Sequence, residues 1–444
     1  MSLSRRRLLV SGTFAAAAGA LSPATSFAER FRIPAALPFD PGDWRSVREQ
    51  FDLSPEFIHL GLFYLTSHPR PVRASIEQLR RRLDQNPFLT VERAMFEDKY
   101  PKFYENVTKA LGRYTGADPQ DFALTSNTTT GLSIVYHGLP LKPQDEVLTT
   151  DQDHYVHHES IRLATERTGS SWRKIPIFSS YDSISADDIV DRIRRGIGPR
   201  TRVLGITWVH SSSGLRMPVR RIADALADLN AGRGPENRVL LVVDGVHGTG
   251  VEDPRITDLG ADVFVAGLHK WIFGPRGTGF VWAKPEVWTT MRPLIPSFQY
   301  PDEFIAWTEE RLPPPPVRAA LFSPGGFQSF EHHWAVPAAI EFHERIGPAR
   351  ITERIHALNS QMREGLSKMP HVVIYTPSSR ELSAGLVCFD VKGLKAAETV
   401  GRLLSKKILA STTPYRVPLS RLACGIMNTP AEVDATLRAV RALA

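Results

Sequence analysis

The sequence predicts an α/β protein: a large domain on a mostly parallel seven-stranded sheet, and a smaller C-terminal α/β domain. Three observations predict it. Between Pro71 and about Lys284, short apolar runs alternate with segments patterned at helical spacing, which marks βαβ units. Around Met291–Phe330 prolines and glycines crowd together and break regular patterning. Beyond Ala335 a second series of helices and apolar runs begins.

Residues 1–28 read as an export signal. Arg5, Arg6 and Arg7 precede an Ala-rich apolar stretch, Leu8 to Leu21, and Ser26-Phe27-Ala28 is a small-x-small cleavage site. That order is a secretory signal of twin-arginine type. The apolar stretch is shorter than the ~20 residues a spanning helix requires, so no stable membrane insertion is expected. The twin-arginine machinery carries folded proteins, and the mature chain is expected in the periplasm. Residues 29–70 then form an N-terminal arm, 71–300 the large domain, and 301–444 a crossing segment with the small domain.

Strands are expected at Asp121–Ser126, Glu146–Asp151, Arg173–Phe178, Thr201–Val209, Arg238–Gly245, Asp262–Gly267 and Gly279–Lys284. Between them, patterns such as Ile189-Val-x-x-Ile193 and Ile222-x-x-Ala-Leu226-x-x-Leu229 recur at helical spacing. Continuous apolar strands of this kind belong to a parallel sheet buried on both faces. Ligands of such sheets bind beyond the carboxyl ends of the strands. The crossing segment, with Pro313–Pro316, Gly325 and Gly326, is expected to be irregular and to border the ligand cleft. The small domain is expected to hold helices near Ala335–Ile346 and Arg350–Lys368, strands near Gly385–Val391 and Arg421–Ile426, and a closing helix, Pro430–Leu443.

Composition narrows the function. The formal charge of +7 falls to +4 once the three signal arginines are removed. Basic blocks interleaved with aromatics and zinc-finger spacing are both missing, so nucleic acid is not an expected partner. The modest positive balance favours an anionic substrate or cofactor. Cys388 and Cys424 lie in apolar runs and are expected as buried free thiols, with a single bridge as the alternative.

Lys270 follows one buried run, and Asp244, 26 residues upstream, closes another. An amine and a carboxylate at neighbouring strand ends are what pyridoxal phosphate requires. The amine condenses with its aldehyde, and the carboxylate keeps the pyridine nitrogen protonated. Ser126-Asn127-Thr128-Thr129-Thr130-Gly131 closes the first strand and opens a helix, so hydroxyls and free N–H groups make an anion site there. The alternative is an ordinary N-cap. His154, His157, His158 and Glu159 raise the question of a metal, but no flanking pattern identifies a zinc site, and none is expected.

The segments Val242-Val-Asp244-Gly-Val-His247 and His269-Lys270-Trp-Ile-Phe-Gly-Pro-Arg-Gly-Thr-Gly279 resemble the class V aminotransferase family of fold-type I pyridoxal-phosphate enzymes. The second is closest in form to the isopenicillin N epimerase-like branch, and the likeness runs from about Phe57 to the C-terminus. By that resemblance, Lys270 and Asp244 are catalytic, and Thr128 and Thr129 are the candidates for the phosphate. His154, or Tyr155 after a slip of one residue, stacks on the ring. His210 lies near the phenolic oxygen, with a core histidine bonded to backbone as the alternative. His247 contacts the cofactor, and His269 the phosphate. Arg421, in a motif running through Asn428-Thr429, grips the substrate carboxylate bidentately. Gly325–Trp334 resembles a loop on the substrate side. The chain departs from a common family form by placing Ala266, Gly267 and Leu268 where a phosphate-binding Ser or Thr stands. Thr278 or a partner chain is the expected substitute.

The family resemblance also implies a homodimer whose sites lie at the subunit interface. With export, it points to aminotransferase-like chemistry on a periplasmic amino acid or on a residue of a secreted, siderophore-type peptide. Lys270 is the acid/base. Epimerisation, or C–S or β-elimination, is the alternative outcome from the same proton loss. A non-catalytic binding protein on a retained fold is a further alternative, which the intact Asp244 and Lys270 oppose. Cysteine desulfuration is not expected, because Lys407–Arg416 lacks a cysteine.

Overall fold

The computed structural model describes residues 39–443 except 97–101, 254, 298–300 and 313–317. The expected signal segment, the start of the arm and the run Pro313–Pro316 lie outside the described residues. A short strand, β1 (Ile58–His59), leads into a helix at Arg70–Gln85.

The large sheet contains all seven expected strands: β2 (Phe122–Thr125), β3 (Glu146–Thr150), β4 (Ser171–Ile175), β5 (Thr201–Thr207), β6 (Leu240–Asp244), β7 (Val263–Gly267) and β8 (Gly279–Ala283). Their spatial order is β2-β8-β7-β6-β5-β3-β4, and β8 alone runs against its neighbours. The carboxyl ends of β2, β3, β5, β6 and β7 therefore share one edge of the sheet. Apart from Leu240, the residues of β6, β7 and β8 are buried on both faces, which explains their unbroken apolar runs. The helix Thr128–Gly138 packs against this layer through Gly131. A Cβ on Gly131 would lie 2.5 Å from Val265 Cγ1, so only glycine admits the approach.

Two expectations need correction. Strand β4 starts two residues before the expected Arg173, directly after Gly169 ends the preceding helix in the left-handed region. The segment Met291–Phe330 is not wholly irregular. It carries a helix, Pro301–Thr308, and a 3₁₀ turn, Ala319–Phe322. Proline is tolerated at the first helical position, because its missing N–H would be unpaired there anyway.

The C-terminal part packs the helices Val336–Ile346, Pro348–Ser367 and Pro430–Arg441 with an antiparallel sheet of β9 (Val372–Ile374), β10 (Val387–Val391), β12 (Ser411–Thr412) and β13 (Ser420–Leu422). A helix at Ala396–Ser405 and β11 (Ile408–Leu409) complete it, and β11 pairs in parallel with β1. Strands β9, β11 and β12 and this last helix were not expected. Each of the strands is two or three residues long, too short to show a period.

Candidate active site

The strand ends open into a cleft of about 430 Å³, within the range of small-molecule sites. Its floor carries Asp244 from the end of β6 and Lys270 from the turn after β7. Asp244 is buried, and its Oδ1 accepts the N–H of Val246 at 3.0 Å. Burial pushes the Asp244 carboxyl up and the Lys270 amine down, and their mutual attraction opposes both shifts. The Lys270 Nζ lies 3.2 Å from His247 Nε2.

At one end of the cleft the helix Thr128–Gly138 begins. Asn127 caps it, its side chain accepting the N–H of Thr130 at 2.9 Å. Thr128 Oγ1 and His269 Nδ1 are both buried and have no hydrogen-bond partner among the described residues. They also converge: a Cβ on Gly267 would lie 3.2 Å from the first and 3.3 Å from the second. Two orphaned polar atoms facing one small space, at a helix N-terminus, make an anion cradle. The residues present therefore fit a phosphate group. Thr129 also lines the cleft. Thr278 does not serve as the substitute hydroxyl, because its Oγ1 is turned into the core and donates to Pro275 O at 2.5 Å.

His154 caps the helix Tyr155–Thr168, its Nδ1 accepting the N–H of Val156 at 3.3 Å. Burial, with Lys270 and Arg421 nearby, lowers its pKa to about 4, so the ring is flat and neutral. Of the two candidates for the ring, His154 lines the cleft, whereas Tyr155, 59 % exposed, is turned to solvent. His157 and His158 are engaged elsewhere. The Tyr136 hydroxyl lies 2.6 Å from His157 Nε2, and His158 Nε2 lies 2.8 Å from Thr150 O. Among the described residues no group of His, Cys, Asp and Glu could hold a metal ion.

His210 is placed differently from its expected cofactor role. It is 0 % exposed and does not line the cleft; the next residue, Ser211, does. The His210 ring is not bonded to backbone either. Its Nε2 stands 3.4 Å from Asp153 Oδ1 without forming an aligned hydrogen bond. Burial alone would raise the Asp153 carboxyl. His210, His157 and a 2.7 Å bond from Thr207 N hold it well below the usual carboxylate range instead.

Arg421 enters from β13. Its Nη1 donates to Ser211 O at 2.9 Å, its Nε to Ser411 Oγ at 3.2 Å, and its Cζ sits 4.2 Å over the Phe63 ring. Nη2 makes no hydrogen bond among the described residues, and a guanidinium nitrogen in that state can pair with a carboxylate. Phe63, Tyr64 and Leu65, from the loop after β1, form part of the wall with Thr207, Pro414 and Tyr415. The sequence reading missed all of these. The Tyr415 hydroxyl is 2.8 Å from Ser211 Oγ, and its ring meets His154 edge-on at 5.8 Å between centroids. The segment Lys407–Arg416 lacks a cysteine and instead supplies this aromatic; a tyrosine six residues before Arg421 is the sequence signal for it. The described residues of the Met291–Phe330 segment do not line the cleft. Cys388 and Cys424 are buried free thiols outside it, pushed up to about 12 by burial.

A seven-stranded, mostly parallel sheet with an amine, a carboxylate and an anion cradle at its carboxyl edge defines a fold-type I pyridoxal-phosphate enzyme. The profile described as "Aminotransferase class-V" matches residues 66–435. Isopenicillin N epimerase of Streptomyces clavuligerus is 26 % identical over 90 % of this chain and 98 % of its own. A probable cysteine desulfurase of Treponema pallidum (strain Nichols) is 24 % identical over 88 % of this chain and 95 % of its own. Among solved structures, the cystine C–S lyase C-DES with its product cysteine persulfide superposes with a TM-score of 0.76 at 20 % identity, covering 87 % of this chain and 98 % of that one. The chain belongs to the class V aminotransferase family, and its cofactor is pyridoxal phosphate.

Proposed function

We propose that this chain is an exported enzyme of aminotransferase type. It acts on the amino group of an amino acid, or of an amino-acid residue in a secreted, siderophore-type peptide. The observation that carries the reading is one cleft holding Lys270, Asp244 and the unengaged Nη2 of Arg421. Pyridoxal phosphate, when bound, supplies the sink for the electron pair left when Cα loses its proton. Asp244 holds the proton on the pyridine nitrogen, and His154 covers a ring face. Thr128 and His269 hold the phosphate. Arg421 fixes the substrate carboxylate, which directs the amino group toward Lys270. Lys270 then takes the Cα proton and returns it.

Sulfur transfer to the protein does not fit. It needs an accessible thiolate, and among the described residues the cleft presents no cysteine. Epimerisation is the second reading, favoured by the similarity to isopenicillin N epimerase over most of the chain.

The deciding experiment incubates purified enzyme with periplasmic extract in heavy water and identifies the altered compound by mass spectrometry. Transamination leaves a carbonyl in place of the amine. Epimerisation leaves the amine with one deuterium at Cα. No altered amino compound would refute both. Borohydride reduction of the holoenzyme, with peptide mapping, is expected to leave the cofactor on Lys270.

Export rests on the signal in residues 1–28, and replacing Arg5, Arg6 and Arg7 by lysine is expected to retain the precursor in the cytoplasm. Assembly as a homodimer is supported by apolar side chains left in solvent along the crossing segment, Trp307 at 74 % and Leu312 at 88 % exposure. Light scattering across a dilution series, read beside activity, tests it; a fully active monomer would overturn it.

A further inference from the structure

The indole N–H of Trp271 lies 3.4 Å from Nδ1 of His247 and donates to it. Both side chains are buried. An indole nitrogen is a donor only, so Nδ1 must offer its lone pair, and a neutral imidazole then carries its single proton on Nε2. Nε2 is the atom 3.2 Å from Lys270 Nζ. An N–H facing an ammonium would set donor against donor, because an ammonium has three protons and no lone pair. The contact closes only if Lys270 is a neutral amine.

We propose that Trp271 is a positioning residue: by fixing the His247 proton on Nε2, it holds Lys270 as the free amine. The proposal rests on the reading that Lys270 is the cofactor-binding lysine, and it adds how that lysine is kept ready. Only a neutral amine adds to an aldehyde carbon, with loss of one water, and only a neutral amine accepts the Cα proton once the substrate has displaced it.

Packing leaves the dyad little freedom. A Cβ on Gly385 would lie 3.0 Å from the Trp271 ring, so that ring rests against backbone. The Phe63 ring flanks His247, with centroids 6.2 Å apart. The charged and titratable neighbours of the pair are Asp244, Arg421, His154 and His269. Arg421 and burial disfavour a second proton on His247 and disfavour the ammonium. Asp244 alone favours the ammonium, and in the loaded enzyme its partner is the pyridine nitrogen.

The test has two arms. In apoprotein carrying ¹⁵N-histidine, long-range proton–nitrogen correlation reads the tautomer, with His247 assigned by its loss in His247→Gln. The expected signal is the Nε2–H form near neutral pH. An Nδ1–H form, or a doubly protonated ring, in the wild-type protein would overturn the proposal. The second arm follows cofactor uptake by apoprotein against pH in the wild type and in Trp271→Phe, which keeps a large ring and removes the donor. Once Nδ1 can hold the proton, Nε2 can accept from the ammonium, and the uptake midpoint is expected to rise by about one pH unit. Uptake would then be about tenfold slower near neutrality and recover at high pH. An unchanged midpoint with a uniformly slower rate would reduce Trp271 to packing and refute the proposal. Borohydride labelling of a different lysine would overturn the cofactor reading instead, and the tautomer arm would stand apart from it.

Discussion

Gly267→Ala probes the anion cradle directly. Gly267 closes β7 with a φ outside the positive region, so alanine suits the backbone and the apoprotein should fold with little change in Tm. The added Cβ would lie 2.9 Å from His269 Cε1, 3.3 Å from His269 Nδ1 and 3.2 Å from Thr128 Oγ1. The first distance is closer than carbon atoms tolerate, so the imidazole must swing aside and withdraw Nδ1 from the cradle. A hydrogen bond to a charged group contributes about 1.5–3 kcal/mol. Losing one should weaken pyridoxal phosphate binding by about 10- to 100-fold, and more if Thr128 is displaced too. The assay is equilibrium titration of apoprotein, followed by absorbance, with pyridoxal lacking the phosphate as control. The control should bind both proteins alike, because the cradle touches only the phosphate. An unchanged Kd for pyridoxal phosphate would refute the assignment of Thr128 and His269. An equal loss for pyridoxal would place the damage elsewhere in the cleft.

Asp244→Asn should keep the cofactor and lower kcat by at least about 100-fold, since an amide cannot hold the charged pyridinium; steady-state kinetics on the loaded variant checks this. Arg421→Lys should raise KM by about tenfold or more with a smaller change in kcat, because an ammonium cannot keep the Ser211 and Ser411 bonds and still present a positioned donor to the carboxylate. The fully buried rings of His157 and His343 have pKa values lowered to about 4, chiefly by burial, against about 6.5 unfolded. Depressed folded values mean that this stability is complete above about pH 6.5 and is lost as pH falls towards 4. Thermal melts should show Tm dropping through that window, and a flat profile would count against the burial argument. Cys388 and Cys424 should resist a thiol reagent in the native protein and react as two thiols after denaturation; a disulfide would show as none.

The sequence by itself determined the centre of the sheet, because strands buried on both faces, such as β6, β7 and β8, are unbroken apolar runs and need no distant partner to be recognised. The half-exposed edge strand β4 (Ser171–Ile175) lacks such a run, and its bounds came only with the fold. The sequence also placed Asp244 and Lys270, since polar residues at the ends of such runs have only the strand-end edge to occupy, whereas Thr128 or Thr129 and His269 followed from the family resemblance. Tertiary structure decided what those ends face. Successive residues of extended chain point to opposite sides, so local pattern could not tell that Ser211 rather than His210 would face the cleft. The wall of Phe63, Tyr64 and Leu65 depends on contacts such as Thr66 Oγ1 to His269 O, 3.0 Å across 203 residues. The pairing of β1 with β11 likewise joins segments that no local period connects. The convergence of the anion cradle on Gly267 is legible only in three dimensions. In the sequence Gly267 reads as a missing hydroxyl, and in the fold it is the space that lets His269 and Thr128 converge. The proton on His247 depends on which ring nitrogen meets Trp271, and packing alone sets that orientation.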